Sequence, residues 1–133
     1  MPTTGSCLCG AVRYTVNGKL RDVIGCHCTQ CRKQTGHYVA ATAAEKAELD
    51  VQGQDALTWF SASPGYRRGF CATCGSLLFW EDLSSEQTSI MAGTLDGPSG
   101  VTLTSHIFVA DKGDYYELGD DVPKHEGYPA SDR

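Results

Sequence analysis

The chain has 133 residues, of which 41% are hydrophobic and 20% are charged, and its formal net charge is −5 at pH 7. This length suits a single core, so we expect one domain over residues 1–133, and the composition argues against disorder. With 11 Lys and Arg against 16 Asp and Glu, no basic stripe is available to neutralise phosphates, which excludes a nucleic-acid partner.

The first residues, 1–5, show neither the basic stretch nor the apolar stretch of a signal peptide, and no apolar run approaches the length of a membrane span. We therefore predict a cytoplasmic protein with no membrane partner. In a reducing compartment, the seven cysteines are more naturally metal ligands than disulfide partners.

Short β-branched or aromatic runs alternate with glycine and polar clusters, which predicts an all-β (mainly β) fold with short helical turns. In chain order, we predict strands at residues 11–16, 38–42, 49–52, 57–60, 66–70, 77–80, 88–92, 105–109 and 115–118. A short helix is predicted at residues 29–35 and a helical turn at residues 43–48. The tail, residues 119–133, is rich in Gly, Pro and Asp and is expected to run irregularly over the surface.

The most specific motif is the Cys-x-x-Cys-Gly turn formed by Cys71, Cys74 and Gly75. A glycine after the second cysteine lets the backbone fold back, so that amide N–H groups can point at sulfurs that hold a zinc ion. The alternative, a redox Cys-x-x-Cys motif of the thioredoxin type, requires a βαβ context that this sequence lacks. The motif therefore favours zinc.

A second pair, Cys7 and Cys9, is spaced so that both side chains project from one face of an extended segment. Together with Cys71 and Cys74, this pair completes a tetrahedral set of four thiolates, which is typical of a structural zinc site. The alternative is that Cys7 and Cys9 are two buried cysteines on one strand face.

The remaining cysteines, Cys26, Cys28 and Cys31, supply three ligands and leave no further cysteine for a fourth. Three protein ligands with one exchangeable position are the usual arrangement of a catalytic zinc, so we predict an open site and two zinc ions per chain. The alternative is closure by a histidine, for which the candidates are His27, His37, His106 and His125.

Three thiolates around Zn²⁺ leave a net charge of about −1 and donate strongly to the metal, so a bound water is polarised weakly and a hydrolase is disfavoured. Such a soft ion favours another sulfur, which makes a small thiol the expected fourth ligand. Arg32 and Lys33 follow directly and are candidates to bind a carboxylate of that thiol. The alternative for both is an exposed cationic pair.

These motifs resemble the glutathione-dependent formaldehyde-activating (GFA) family, whose domain is also found in centromere protein V. The order and spacing of all three cysteine groups agree with the family, and the resemblance spans nearly the whole chain. The matching segments are GSCLCGAV (5–12), CHCTQCRK (26–33), FCATCG (70–75), HIFV (106–109) and GYP (127–129).

The resemblance implies a zinc-stabilised β-sheet fold shared with Mss4-like proteins, a structural zinc at Cys7, Cys9, Cys71 and Cys74, and a catalytic zinc at Cys26, Cys28 and Cys31. The implied reaction is the reversible addition of a thiol such as glutathione to an aldehyde, which is carbon–sulfur lyase chemistry. Two alternatives remain open: a structural zinc module that binds a protein partner, and a thiol carrier without turnover. The oligomeric state is not indicated by the sequence.

Overall fold

The computed structural model describes residues 2–129, within which the chain is mainly β with a single α-helix. The fold class predicted from the sequence is confirmed. The strands are β1 (Thr3–Ser6), β2 (Arg13–Val16), β3 (Val23–Cys26), β4 (Val39–Glu45), β5 (Leu49–Gln52), β6 (Leu57–Phe60), β7 (Tyr66–Cys71), β8 (Leu77–Asp82), β9 (Gln87–Met91) and β10 (Leu103–Ile107). The helices are α1 (Thr29–Thr35) and short 3-10 helices at Lys46–Glu48, Ala92–Thr94 and Val109–Asp111.

Strands β1, β2 and β5 form a small antiparallel sheet with β2 in the centre. Along β2 the side chains alternate, with Tyr14 and Val16 buried and Arg13 exposed. The buried face packs against the larger sheet, where the rings of Tyr14 and Phe79 meet edge to face at a centroid distance of 5.5 Å.

The larger sheet has seven strands in the order β10-β3-β4-β9-β8-β7-β6, and every neighbouring pair is antiparallel except β10 and β3, which are parallel. Cys26, the last residue of β3, lies opposite Val39 of β4 and Ile107 of β10. The backbone that carries the first cysteine of the middle group is therefore held on both sides.

Two apolar clusters fill the interior. The larger one, around Tyr14, Leu78, Phe79 and Ile90, lies between the two sheets. The smaller one contains the buried residues Cys31, Val39, Ala41 and Met91 and places helix α1 against β4 and β9. Helix α1 thus docks through its one buried residue, Cys31.

Most of the predicted elements are confirmed, including the strands at 49–52 and 57–60 and the helix at 29–35. The predicted helical turn at 43–48 is shorter than expected, because β4 continues through Glu45 and only Lys46–Glu48 turns. Two strands were not predicted. Strand β1 has no apolar alternation. Strand β3 contains Gly25, which interrupts the strand pattern in the sequence; the structure requires glycine there, because a Cβ atom would come within 2.6 Å of His106 Nδ1.

The predicted strand at residues 115–118 is wrong. Tyr115 is exposed, and Tyr116 contacts histidine and tyrosine rings instead of pairing in a sheet. Lys112 shapes this segment by donating from Nζ to the carbonyl oxygen of Tyr116 at 2.5 Å. The strand was predicted from the aromatic residues of this segment, but in the structure these rings contact other side chains and the backbone does not pair with a strand.

The tail is irregular as expected, and its residues 130–133 lie outside the described residues. The tail also runs beside β10 and forms backbone hydrogen bonds with it. His106 N donates to Pro123 O at 3.0 Å, and His125 N donates to His106 O at 2.9 Å. Across the described part of the chain, no helix has the length and apolar character needed to cross a membrane.

Gly5→Ala tests the packing of β1 against the rest of the molecule. A Cβ atom at Gly5 would collide with the hydroxyl of Tyr14 and come within 2.5 Å of the carbonyl oxygen of Thr94. We expect the free energy of unfolding to fall by about 2 kcal/mol, measured by urea denaturation.

The matched control is Gly93→Ala, because a Cβ atom at Gly93 meets nothing within 4 Å. Its effect should stay within about 0.5 kcal/mol. Equal stability of the two variants would contradict the described packing of Gly5.

Candidate functional site

Four cysteines come together where β1 and β7 end. We call Cys7, Cys9, Cys71 and Cys74 the four-cysteine cluster; their sulfur atoms all lie within 4.8 Å of one another. Cys7 Sγ is 3.7 Å from Cys9 Sγ, which is 3.8 Å from Cys71 Sγ. Four sulfurs at such separations could hold a metal ion, and a set of four thiolates is typical of structural zinc.

The turn from Cys71 to Gly75 has the geometry predicted from the sequence. Gly75 has a φ of 82°, a value that glycine adopts without strain. Gly75 N donates to Cys71 O at 2.8 Å, and Cys74 N donates to Cys71 Sγ at 3.5 Å. Hydrogen bonds from the side chain and then the backbone of Ser76 lower the pKa of Cys74 to about 5. The turn therefore favours the thiolate form that a metal requires.

The segment from Cys7 to Cys9 was predicted to be extended, and this prediction is wrong. Strand β1 ends before Cys7, and the chain turns at Gly10, which has a φ of 81°. Gly10 N donates to Cys7 O at 3.2 Å, and Val12 N donates to Cys7 Sγ at 3.3 Å. The segment thus resembles the turn at Cys71, and the two turns bring their sulfur atoms together in one cluster.

The middle group forms a second cluster at the start of helix α1. We call Cys26, Cys28 and Cys31 the three-cysteine cluster; their sulfur atoms all lie within 4.8 Å of one another. Cys28 caps the helix by accepting a hydrogen bond from Cys31 N on its sulfur at 3.3 Å. Within residues 2–129, no histidine or carboxylate atom joins this cluster. It could hold a metal ion through three sulfurs.

The thiols of this cluster differ strongly in acidity. The hydrogen bonds of Cys28 with Cys26 and then with Cys31 lower the pKa of Cys28 to about 2. The amide of Cys31 and the charge of Arg68 act in the same direction. The hydrogen bond with Cys28 raises the pKa of Cys26. Negative charge is therefore concentrated on Cys28, and a metal ion would have to displace the remaining protons.

His27, although it lies between two of these cysteines, points to the opposite side of β3. Its Nε2 is 2.8 Å from His106 Nδ1, and its Nδ1 is hydrogen bonded to the hydroxyl of Tyr116. Burial, followed by the charge of His106, lowers the pKa of His27 to about 4, so the ring is neutral at pH 7. With both ring nitrogens occupied, His27 does not close the three-cysteine cluster.

This hydrogen-bonded chain continues to the surface. His106 Nε2 lies 2.9 Å from Asp120 Oδ2, and hydrogen bonds from His106 and then Lys124 lower the pKa of Asp120 to about 2. When both imidazoles are neutral, Asp120 accepts from His106, His106 accepts from His27, and His27 accepts from Tyr116. The chain ties the tail to the loop between Cys26 and Cys28.

Arg68 is a residue of the site for which the sequence carries no signal. It lies on β7, is only 5% exposed, and directs its guanidinium at Cys31 Sγ, with N–S distances of 3.7 and 3.8 Å. The same group donates to Gln34 Oε1 at 3.1 Å and Gln30 Oε1 at 3.3 Å. A buried cation therefore lies beside the three-cysteine cluster and joins helix α1 to the sheet.

The three-cysteine cluster opens into a cavity of about 580 Å³. Its walls come from the larger sheet between β10 and β7, from α1, and from the segment after β10, and its lining is mainly apolar. The lining includes Ile24, Val39, Ala41, Met91, Ile107, Tyr66, Trp80, Phe108 and Tyr128, with Arg21, Arg68, Gln30, Ser63, Ser89 and Asp111 among the polar side chains.

The predicted substrate contacts Arg32 and Lys33 are not among the lining residues. Arg32 Nε instead donates to the carbonyl oxygen of Asp111 at 3.2 Å, and Asp111 does line the cavity. Arg32 is thus at the rim. The HIFV and GYP segments, to which the sequence assigned no role, contribute Phe108 and Tyr128 to the wall.

Comparisons with known proteins agree with this arrangement. The sequence model of the family described as "Glutathione-dependent formaldehyde-activating enzyme" matches residues 2–111. A Halomonas elongata protein, provisionally named a glutathione-dependent formaldehyde-activating enzyme, is 30% identical in an alignment of 128 positions that covers 86% of this chain and 79% of that protein. A crystal structure of a Rhodobacter sphaeroides protein aligns with a TM-score of 0.63 at 26% identity, over 91% of this chain and 98% of the other. The chain therefore belongs to the GFA family.

Proposed function

We propose that this protein is a zinc-dependent enzyme that adds a small thiol such as glutathione to an aldehyde and cleaves the adduct, as a carbon–sulfur lyase. The observation that carries the proposal is the three-cysteine cluster, which has three sulfurs, no fourth protein ligand within the described residues, and direct access to a cavity. An open metal position next to a substrate-sized space is the arrangement of a catalytic site.

Both clusters fit zinc by the chemistry of their donors, because thiolate sulfur is a preferred ligand of this ion. When bound at Cys26, Cys28 and Cys31, zinc would supply a soft Lewis acid that binds a thiol and lowers its pKa. At the four-cysteine cluster the protein itself fills all four positions, so a metal there would have a structural role.

Arg68 supports the proposed chemistry through its charge. Three thiolates with one Zn²⁺ have a net charge of about −1, and a thiolate substrate adds a further negative charge. A buried guanidinium in contact with Cys31 offsets this charge where solvent screens poorly. Arg68 therefore favours the ionised state of the sulfurs on which the reaction depends.

The reaction needs no oxidant. The sulfur of the thiol forms a bond to the carbonyl carbon, the C=O π bond breaks, and the thiol proton is transferred to the carbonyl oxygen. His27 does not line the cavity and lies on the opposite side of β3, so it does not contact the reacting atoms. Arg32, at the rim, and its exposed neighbour Lys33 remain proposed contacts for a carboxylate of the thiol.

We expect a serine substitution to lower the free energy of unfolding much more in the four-cysteine cluster, at Cys71, than in the three-cysteine cluster, at Cys31. Purified without chelators, the wild type should contain two zinc ions per chain by elemental analysis. Cys71→Ser should lower the free energy of unfolding by about 4 kcal/mol, since an ion bound only to the native state at about 1,000 times its Kd contributes that much.

Cys31→Ser is the matched control and should retain one zinc ion and most of the stability. The proposal of a structural and a functional site would be overturned if both variants melted alike. One zinc ion per wild-type chain would also contradict it.

Turnover is predicted to require the three-cysteine cluster. In NMR exchange spectroscopy on glutathione, formaldehyde and their adduct, the wild type should speed exchange at least about tenfold over Cys28→Ser, because loss of one thiolate weakens the metal site.

The comparison is informative only if Cys28→Ser remains folded, which circular dichroism and retention of one zinc ion would verify. Equal exchange rates for the two proteins, with formaldehyde and with larger aldehydes, would exclude the enzyme and leave a thiol carrier or a structural module.

A further inference from the structure

The cavity beside the three-cysteine cluster is much larger than formaldehyde requires. Its volume is about 580 Å³, within the range of about 300–1,000 Å³ that is usual for sites of drug-sized ligands. Formaldehyde has only two non-hydrogen atoms, against one in water, whose share of liquid volume is about 30 Å³. Formaldehyde would therefore fill only a small part of this cavity, and the rest is available to the thiol and to a larger aldehyde.

The part of the cavity wall that lies around β3 and β4 is apolar. Ile24 of β3, Val39 and Ala41 of β4 and Met91 of β9 all line it, and the last three are at most 8% exposed. Each Å² of apolar substrate surface covered here contributes about 25 cal/mol to binding before the costs of association. Such a wall favours a hydrocarbon group over a hydrated or charged one.

Two pairs of aromatic rings also line the cavity. Tyr66 and Trp80 are stacked with ring centroids 5.6 Å apart, and Phe108 and Tyr128 meet edge to face at 4.8 Å. All four residues line the cavity. Aromatic faces and edges at these positions provide favourable contacts for a further ring.

Phe108 occupies its place in this wall in a strained conformation. Its φ is 56°, which is unusual for a bulky side chain and persists only where surrounding contacts impose it. Those contacts come from Val109 N, which donates to His125 O at 3.0 Å, and from Asp111 N, which donates to Phe108 O at 3.1 Å. Contacts with the tail thus keep the ring of Phe108 at the cavity, although the backbone conformation of this residue is unfavourable.

We propose that the preferred aldehyde carries an apolar side chain about the size of an aromatic ring, which fills this cavity and leaves the carbonyl carbon facing the three-cysteine cluster. The inference rests on the proposed function. The thiol sulfur bonds to the carbonyl carbon and the thiol proton moves to the carbonyl oxygen, so the adduct is a hemithioacetal with an apolar substituent.

The test compares phenylacetaldehyde with formaldehyde, each with glutathione, in NMR exchange experiments on the zinc-loaded protein. We expect kcat/KM to be at least about tenfold higher for phenylacetaldehyde, since a single methylene group in a hydrophobic pocket already provides about 10–200-fold. Ala41→Leu, which fills part of the cavity, should lower the ratio of the two kcat/KM values about tenfold. Ala47→Leu, the same change at an exposed position outside the cavity, should leave the ratio unchanged.

A binding measurement independent of turnover uses 2-phenylethanol, an unreactive analogue, with methanol as its control. The side-chain methyl resonances of Ile24 and Met91 should shift with 2-phenylethanol and not with methanol. This experiment uses the wild type, so it remains decisive if Ala41→Leu fails to fold.

Exchange of formaldehyde without exchange of phenylacetaldehyde would overturn this inference alone and leave the proposed function standing. Absence of exchange with both aldehydes would overturn the proposed function. The inference would also fall if 2-phenylethanol left the resonances of Ile24 and Met91 unchanged.

Discussion

The charge of three cysteine sulfurs within 4.8 Å of one another is the constraint on which the rest of the site depends. Thiolates at such separations repel one another, and the repulsion is screened poorly in a half-buried loop. The protein compensates with the amide of Cys31, which caps Cys28, and with the buried guanidinium of Arg68. These contacts offset only part of the charge, and a bound zinc ion would supply the rest.

The two faces of β3 have different roles in the site. On one face, Ile24 and Cys26 line the cavity, whereas on the other, Gly25 and His27 lie against His106. The hydrogen-bonded histidines and the tail support the cysteine loop on the face of β3 that is remote from the cavity, and the histidines do not line the cavity. The cluster can therefore remain open toward the cavity while its backbone is fixed.

Both cysteine clusters and helix α1 could be predicted from the sequence, because ligand spacing and a local capping pattern are encoded in a few adjacent residues. The role of Arg68 could not be predicted. It follows Arg67 on a strand, where an arginine is normally an exposed charge, and only the pairing of β7 and β8 places it under α1. The role of Phe108 was equally hidden, because its conformation depends on a tail that returns beside β10. The turn at Cys7 was misjudged because the spacing of two cysteines fits a strand as well as a turn.

X-ray absorption at the zinc edge, with and without glutathione, would show whether the zinc at Cys26, Cys28 and Cys31 accepts an outside sulfur. With one site of four sulfurs and one of three, the average number of sulfur ligands per zinc ion should rise from about 3.5 to about 4 when glutathione binds. Cys28→Ser, which removes the open site, should show no such rise. An unchanged sulfur count in the wild type at saturating glutathione would contradict an open, thiol-accepting zinc at Cys26, Cys28 and Cys31.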